Sequence, residues 1–432
     1  MEKMIFENYE SKVQSYSRKF PAVFAKAIGA TVFDEKGRRY IDFLAGAGSL
    51  NYGHNDRYIK GKLIDYLLDD NICHSLDLHT VAKREFLDTF NTLILKPRNL
   101  AYVCQFTGPT GTNAVEAAFK LARKITGRSN IISFTNGFHG VTLGALSAAG
   151  NSFYRKAAGV SANNVTFMPF DGYFGKEIDT LSMLEKLLQD KGSGLDLPAA
   201  IIVETIQGEG GVNVASDKWL RSLDQLCKTY GIVLIVDDIQ AGCGRTGNFF
   251  SFESAGIIPD IITLSKSLSG MGLPMSVVLI KPELDVWAPG EHNGTFRGNN
   301  PAFVTAKAAI DHYWADDNLS RAVHQKSSLL KSRIESIASK IDGDCKQRGR
   351  GMMQGLACPS GEIAHHISRE AFKHGLILET SGARGQVLKF LMPLNIPLEL
   401  LHEGLDILEY SIDQLGGEGV YPTSTYQDAD IN

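Results

Sequence analysis

The sequence predicts an α/β fold: a large domain with a mostly parallel central sheet flanked by helices, plus a smaller α+β domain. Three observations support this prediction. At 432 residues, the chain exceeds the usual size of one hydrophobic core. In its middle part, short apolar runs alternate with helical patterns, and the apolar residues of each run are continuous, as in strands covered on both faces. The runs are NIISF at 130–134, AAIIVE at 199–204, GIVLIVD at 231–237 and DIITLS at 260–265, and the helical stretches include Thr112 to Thr126 and Ser216 to Tyr230.

The smaller domain is predicted to combine both ends of the chain. The segment ATVFDEKGRRYIDFL has the pattern of a hairpin, with turn residues from Asp34 to Gly37 between two strands. From about residue 306 the pattern becomes helical, and it returns to short strands near RGRGMMQGLA and QVLKFLMP. We therefore expect residues 1–50 and 306–415 to form the smaller domain and residues 51–305 the large one. Residues 416–432, rich in Gly, Ser, Thr and Asp, are predicted to be a flexible tail.

The composition excludes several classes of protein. A formal net charge of −4 argues against a nucleic-acid partner, which needs a basic face. The N-terminal segment has no secretory apolar core, and no apolar run approaches the roughly 20 residues that span a bilayer. Six cysteines without CxxC pairs indicate reduced thiols. We expect a cytoplasmic protein that binds neither nucleic acid nor membrane.

Asp237 and Lys266 are the two residues that point most directly to chemistry. Each ends an apolar strand, about one βαβ unit apart, so both are expected at the carboxyl edge of neighbouring strands, where α/β sheets bind ligands. A lysine held out of water has a lowered pKa and attacks carbonyls. An acid facing a pyridine nitrogen keeps that nitrogen protonated, so the two residues together suit pyridoxal phosphate (PLP). The alternatives are a surface lysine, a structural acid or a magnesium-binding Walker-B strand, although the sequence has no P-loop.

Two further segments support a cofactor site when they are taken with Lys266. Gly111 and Thr112 lie where a loop enters a helical run, so free N–H groups and a hydroxyl can hold a phosphate; simple helix capping is the alternative. Phe138, in NGFHGVTLGA, can stack on a planar ring or simply pack. GAGSLN at 46–51 fails the dinucleotide pattern, and CHSLDLH at 73–79 lacks zinc-site spacing, so no metal site is predicted.

In combination these motifs resemble the class III, or ω-, aminotransferases. The resemblance covers nearly the whole chain except its tail, and it is carried by TGTNAVEAA, GFHGVT, VETIQGEGG, VDDIQAGCGRTG, LSKSLSGMGLP and GTFRGNN. It implies the PLP-dependent transferase fold, PLP as cofactor and an amino-group transfer.

The resemblance also implies roles for single residues. Lys266 matches the lysine that forms a Schiff base with PLP and shuttles a proton to and from the substrate. Asp237 matches the partner of the pyridine nitrogen, and Gln240 the residue near the ring hydroxyl. Phe138 and Ile239 match the residues on either side of the ring.

Other matched positions concern the phosphate, the substrate and a second subunit. Gly111 and Thr112 match the phosphate cup. Thr295 matches a phosphate ligand donated by the neighbouring subunit, which implies at least a homodimer. Glu204 and Glu209 match acids that line the site and can mask a cation for substrate carboxylates.

Four segments narrow the resemblance within the family. They resemble members that pass the amino group of L-glutamate to L-aspartate 4-semialdehyde in ectoine biosynthesis, and they read FLAGAGSLNYGHN, HSLDLHTVAKREFL, FDGYFG and APGEHNGTFRGNNPAF. The chain also departs from the family: Asp238 stands where Glu is usual, and Val141 and Lys389 stand where ornithine-type relatives have arginine. Recognition of the glutamate carboxylates therefore does not carry over from these relatives, and the candidate ligands are Arg297, Lys389, Arg384 and Arg18.

Other functions remain open on the sequence alone. The nearest alternative is another ω-aminotransferase, acting on 4-aminobutyrate, ornithine or an acylated diamine. A PLP mutase or decarboxylase on the same scaffold would need no separate amino acceptor. An inactive PLP-binding or nucleotide-binding protein is more distant, because the set of Lys266, Asp237 and Gln240 is intact and a P-loop is absent.

Overall fold

The protein is described by a computed structural model, in which the structure covers residues 3–341 and 343–417. In chain order the strands are β1 (Phe24–Ile28), β2 (Thr31–Asp34), β3 (Arg39–Asp42), β4 (Val103–Phe106), β5 (Ile131–Phe134), β6 (Val165–Met168), β7 (Ala200–Val203), β8 (Ile206–Gln207), β9 (Asn213–Val214), β10 (Val233–Asp237), β11 (Ile261–Leu264), β12 (Val277–Ile280), β13 (Lys346–Arg350), β14 (Met353–Ala357), β15 (Leu376–Ile377), β16 (Glu379–Ser381) and β17 (Val387–Phe390).

The α-helices, again in chain order, are α1 (Lys3–Tyr9), α2 (Tyr16–Lys19), α3 (Ala45–Gly48), α4 (Arg57–Leu68), α5 (Val81–Thr89), α6 (Gly111–Thr126), α7 (Leu143–Ser147), α8 (Ser152–Lys156), α9 (Thr180–Gln189), α10 (Asp217–Tyr230), α11 (Asn300–Tyr313), α12 (Asn318–Ala338), α13 (Gly361–Lys373) and α14 (Leu398–Gly417). Of the segment 416–432 that is predicted to be a tail, the first two residues end α14 and the rest lies outside the described residues.

The central sheet has seven strands in the order β4-β12-β11-β10-β7-β5-β6. Strands β11, β10, β7, β5 and β6 run parallel to one another. Strand β12 is antiparallel to both of its neighbours, β11 and β4. All residues of β5, β7, β10, β11 and β12 are buried, which explains why these segments are continuously apolar. The predicted α/β fold with helices flanking a mostly parallel sheet is confirmed.

Helices α6 and α10 show how the sequence covers this sheet. Helix α10 begins after Ser216, whose hydroxyl accepts a hydrogen bond from the Trp219 N–H, and it ends at Gly231 with φ 58°. One face of α10 is buried, through Trp219, Leu220, Leu223, Leu226 and Cys227. Helix α6 is rich in alanine, which favours helix and allows close approach to the sheet, and it packs on β7, β10, β11 and β12. This packing brings the N-terminus of α6 to the carboxyl edge of the sheet.

The two ends of the chain meet in a second sheet, with the order β1-β2-β3-β15. The predicted hairpin is formed by β2 and β3, and Asp34 closes its turn by accepting hydrogen bonds from the N–H groups of Lys36 and Arg38. A third sheet, β13-β14-β17-β16, is built from the C-terminal part of the chain. The domain boundaries at residues 50 and 305 stay a prediction.

Within residues 3–341 and 343–417, none of the helices combines the length and the apolar character that a bilayer crossing requires.

Candidate active site

The carboxyl ends of the parallel strands deliver most of the predicted site residues to one cavity. Because β5, β7, β10 and β11 are parallel, the residues that follow them meet at one edge of the sheet. A cavity of about 170 Å³ lies there, and it is lined by Gly111, Thr112, Phe138, His139, Gly140, Glu204, Glu209, Asp237, Ile239, Gln240 and Lys266. Residues that are up to 155 positions apart in sequence thus line one cavity, as the strand ends predict.

Lys266 enters this cavity from a strained backbone. It follows β11 and has φ 47°, in the left-handed region that non-glycine residues rarely adopt. Its Nζ donates a hydrogen bond to the carbonyl of Ala47 at 3.0 Å. Burial lowers the pKa of Lys266, with the charge of Glu209 acting in the opposite direction. The amine is therefore closer to its neutral, nucleophilic form than a surface lysine would be.

Asp237 ends β10 and is held by three hydrogen bonds. Its Oδ2 lies 2.7 Å from Nδ1 of His139, and its Oδ1 accepts from the hydroxyl of Thr263 at 3.1 Å and from the Ile239 N–H at 3.3 Å. Burial lowers the pKa of His139, but the hydrogen bond and charge of Asp237 outweigh burial and raise it overall. The carboxylate therefore lines the cavity with both of its oxygens held in place by hydrogen bonds.

His139 is a site residue that the sequence analysis missed. It is 3% exposed and follows Phe138, a residue that the sequence did single out as a ring-stacking candidate. The available signal was its place in GFHG, between two glycines that allow close approach. A single histidine in a loop does not reveal that its ring will reach the end of a strand about 100 residues later.

Gln240 lines the same cavity and contacts the turn formed by α3. The Nε2 of Gln240 donates to the Ala47 carbonyl at 3.1 Å and to Oε1 of Glu209 at 3.3 Å. Its Oε1 is buried and has no hydrogen-bond partner within the described part of the chain. Ala45 and Ala47 both have positive φ, so this turn is strained in a way that aims its carbonyl at Lys266 and Gln240. This oxygen packs against Gly208, where a Cβ would lie 1.7 Å from it, and Gln240 lines the cavity with the rest of its side chain.

The N-terminus of α6 supplies hydrogen-bond donors for an anionic group in the same cavity. Thr110, the residue before the helix, makes no capping hydrogen bond with its side chain, which leaves the first N–H groups free for an anion. The hydroxyl of Thr112 lies 2.6 Å from that of Thr142. A Cβ at Gly140 would lie 2.2 Å from Oγ1 of Thr112, so glycine is required for this close approach. These groups fit a phosphate.

Glu204 follows β7 and supports the loop of Phe138. It accepts hydrogen bonds from the N–H groups of Phe138 at 2.9 Å and Gly208 at 3.3 Å. Burial raises the pKa of Glu204 to about 7. Phe138 and Ile239 provide apolar surface for a planar ring on the wall of the same cavity. The lining residues thus fit a phosphorylated aromatic aldehyde. Lys266 suits the aldehyde, Asp237 the ring nitrogen and Gln240 the ring hydroxyl. Gly111 and Thr112 suit the phosphate.

A second cavity, of about 280 Å³, adjoins the first, because Phe138 and Glu209 line both. Beside it, the Nζ of Lys389 lies 2.5 Å from Oε1 of Glu209 and 3.1 Å from Oε1 of Glu379. The two carboxylates raise the pKa of Lys389 against the effect of burial. Burial alone would raise the pKa of Glu209, but the charges of Lys389 and Lys266 lower it overall. Lys389 and Glu209 are therefore an ion pair.

Two of the predicted site residues lie elsewhere in the chain as the structure describes it. The carbonyl of Thr295 accepts a hydrogen bond from the ring of His74 at 2.8 Å. Arg297 pairs with Asp77 at 2.5 Å. Neither residue lines the two cavities, so a single chain does not bring them to Lys266.

Asp238 offers a test of how burial at this sheet edge affects stability. It is 1% exposed, and its two oxygens accept hydrogen bonds from the N–H and the hydroxyl of Ser251. Burial raises its pKa to about 7. An acid whose pKa is higher in the folded than in the unfolded state makes its full contribution to the free energy of unfolding below its unfolded pKa of about 4. That contribution is lost as the pH rises through the folded pKa.

We therefore expect Asp238→Asn to raise the free energy of unfolding at pH 8 by about 1–3 kcal/mol. The amide keeps an acceptor for the Ser251 N–H and gains a donor for its hydroxyl. Urea unfolding of both proteins at pH 5 and pH 8 measures the effect. If the free energy of unfolding falls by the same amount for the wild type and the variant between these two pH values, Asp238 does not titrate as described.

Comparison with known proteins agrees with this geometry. A family model described as "Aminotransferase class-III" matches residues 13–412. A diaminobutyrate–2-oxoglutarate transaminase from Bordetella parapertussis is 57% identical over 414 residues, which cover 95% of each chain. A protein of the same name from Halomonas elongata is 57% identical over 418 residues, covering 96% of this chain and 99% of that one.

Solved structures share the fold over nearly the whole chain. An ornithine aminotransferase from Toxoplasma gondii, crystallised with oxidised glutathione and with PLP partially occupying its active site, matches with a TM-score of 0.81 and 27% identity. The match covers 96% of this chain and 94% of that chain. A Bacillus anthracis aminotransferase matches with a TM-score of 0.84 and 22% identity, covering 95% of this chain and 97% of that chain.

Proposed function

The chain belongs to the class III aminotransferases, and from this premise we propose that it transfers the amino group of L-glutamate to L-aspartate 4-semialdehyde. The products are L-2,4-diaminobutyrate and 2-oxoglutarate. One observation carries this choice of substrates: relatives that are 54–57% identical over nearly the full chain are diaminobutyrate–2-oxoglutarate transaminases. Other ω-aminotransferase activities are not favoured.

PLP is the cofactor, and when bound it supplies an aldehyde that takes up the amine and a pyridine ring that withdraws electrons from the reacting carbon. Lys266 holds the aldehyde end. The N-terminus of α6, with Gly111 and Thr112, holds the phosphate. Asp237, fixed by its 2.7 Å contact with His139, keeps the pyridine nitrogen protonated. Gln240, on the wall of the same cavity, would lie near the ring hydroxyl.

Lys266 also moves the proton that the transfer requires. With PLP bound, the Nζ of Lys266 would be the base that accepts a proton from the amine-bearing carbon of the substrate, a role that the lowering of its pKa by burial favours. The same amine returns the proton when the second substrate reacts. The carbonyl of Ala47, 3.0 Å from Nζ, holds the displaced amine in the cavity.

Glutamate and the aldehyde carry different charged groups, so the site binds them differently in the two half-reactions. Glutamate carries two carboxylates and needs a cation, for which Lys389 is our candidate because it pairs with Glu209, a residue that lines both cavities. The ion pair with Glu209 masks that cation when the substrate does not need it. Arg297, paired with Asp77, is the weaker candidate.

The assembly and location of the enzyme are part of the proposal. We propose at least a homodimer, in which the partner subunit's Thr295 reaches the phosphate of the first subunit. All six cysteines are free, in keeping with a reducing cytoplasm. No partner other than small molecules and a second copy of the chain is proposed.

The test is a comparison of amino acceptors. The purified, PLP-loaded enzyme is given L-glutamate with L-aspartate 4-semialdehyde, succinate semialdehyde or pyruvate, and kcat/KM is measured for each acceptor. We expect aspartate semialdehyde to exceed the others by at least about tenfold, the factor given by one charge-assisted hydrogen bond. A higher kcat/KM for either of the other two acceptors would reject the assigned substrate.

A further inference from the structure

Glu379 is a buried carboxylate on the wall of the second cavity that the proposed reaction does not use. It begins β16, is 1% exposed, and lines the 280 Å³ cavity. The hydroxyl of Tyr16 donates a hydrogen bond to its Oε2 at 3.2 Å. Its Oε1 lies 3.1 Å from Nζ of Lys389, but this contact does not have the geometry of a hydrogen bond. Among the described residues, this oxygen has no hydrogen-bond partner.

Glu379 is the less compensated of two neighbouring carboxylates. Lys389 contributes one positive charge, and it lies closer to Glu209, at 2.5 Å, than to Glu379, at 3.1 Å. Burial raises the pKa of Glu379 and the charge of Glu209 adds to this, although the charges of Lys389 and Lys266 act in the opposite direction. Burying a carboxylate in this way is costly unless another cation or donor arrives. A cationic ligand beside Glu379 would therefore stabilise its ionised form.

The geometry points to Glu379 as the binding group for the α-ammonium of L-aspartate 4-semialdehyde and of L-2,4-diaminobutyrate. This assignment rests on the proposed function. The reacting C4 of either molecule belongs at Lys266 in the first cavity, and its α-amino acid end then extends past Glu209 and Phe138, the residues that both cavities share. At that end Glu379 meets the ammonium group.

Two other residues of the second cavity complete the match to an α-amino acid. Lys19 lies on its wall and gives the carboxylate of the substrate a cation. Ser381, at the end of β16, has a buried hydroxyl without a partner within the described ranges. A carboxylate, a lysine and a hydroxyl on one wall are complementary to a zwitterion, and less so to a molecule that carries a carboxylate alone.

If Glu379 has a purely structural role and only holds Lys389 in place, the expected effect of replacing it is different. Under that role, its replacement would affect all amino acceptors alike. L-Aspartate 4-semialdehyde and succinate semialdehyde separate the two cases, because they differ only in the α-ammonium group. In a ping-pong enzyme, kcat/KM for the acceptor also reports only on the acceptor half-reaction, so altered use of glutamate does not interfere.

The experiment compares the PLP-loaded wild type, Glu379→Gln and Lys19→Met with both aldehydes. Glu379→Gln keeps the shape of the side chain and leaves Lys389 paired with Glu209. We expect it to lower kcat/KM for aspartate semialdehyde by roughly 10- to 100-fold and to change that for succinate semialdehyde by less than about threefold. Lys19→Met is the matched control and should lower both values by the same factor, because both aldehydes carry the carboxylate.

Folding is checked by the cofactor absorbance and the Tm of each variant, and Tyr16→Phe gives an independent measure if Glu379→Gln is unstable. That variant removes only the hydroxyl that orients Glu379, and we expect a several-fold loss confined to aspartate semialdehyde. Equal losses with both aldehydes in the Glu379 and Tyr16 variants would overturn the assignment while leaving the proposed function intact. A wild type that uses neither aldehyde would instead refute the proposed function, and the assignment with it.

Discussion

Replacing Lys266 with alanine is expected to lower kcat/KM by at least about 10⁴-fold, because the variant loses both the covalent hold on the cofactor and the proton-transferring amine. The structure offers no substitute at this position: Nζ of Lys266 occupies the cavity and contacts the Ala47 carbonyl at 3.0 Å, whereas Lys389 is held between two carboxylates. Steady-state kinetics and the visible absorbance of the PLP-loaded protein measure the two losses separately.

Lys281→Ala is the matched control for the removal of a partly buried lysine. Lys281 follows β12 and pairs with Asp260 at 2.7 Å, away from both cavities. Its replacement should change stability and leave kcat/KM within a few-fold of the wild type. Turnover of Lys266→Ala at the wild-type rate would show that another group carries the chemistry.

Asp237→Asn is expected to give the second-largest effect, a loss in kcat of roughly 10²- to 10⁴-fold. The amide cannot keep a pyridine nitrogen protonated, so the ring withdraws electrons less effectively. It also places a neutral group 2.7 Å from His139, whose raised pKa depends on the carboxylate. The loss should appear in kcat more than in KM, because substrate binding does not use this residue.

Asp238→Asn separates this effect from the general effect of removing a buried acid. Asp238 is the next residue in the chain and is equally buried, but it binds Ser251 and does not line either cavity. Its variant should retain kcat within a few-fold. If Asp237→Asn and Asp238→Asn had the same small effect on kcat, Asp237 would not be the partner of the ring nitrogen.

The sequence predicts the fold and the centre of the site because both depend on local patterns. Continuous apolar runs identify buried parallel strands, and the position of a polar residue at the end of such a strand fixes its place at the edge of the sheet. Asp237 and Lys266 were placed on neighbouring strands in this way, and β10 and β11 are indeed paired and parallel. The antiparallel β12 was not singled out, because its apolar residues are as continuous as those of its parallel neighbours.

The remaining features of the site depend on contacts between distant residues, which no local pattern encodes. Ala47 lies in a segment that fails the dinucleotide motif, and its role comes from a strained turn whose carbonyl reaches Lys266 and Gln240. Glu379 looks like an ordinary strand residue until β16, the N-terminal segment with Tyr16 and Lys389 come together. The cross-subunit role of Thr295 stays a prediction, since it concerns a second chain.

A half-reaction with glutamate alone tests the central claim most directly. If Lys266 and Asp237 hold one aromatic aldehyde between them, adding L-glutamate to the PLP-loaded enzyme without any acceptor converts the absorbance of the lysine-bound cofactor to that of its aminated form. One molecule of 2-oxoglutarate is then released per site, and adding L-aspartate 4-semialdehyde restores the original spectrum. An enzyme whose spectrum is unchanged by glutamate, and which releases no 2-oxoglutarate, would contradict the account.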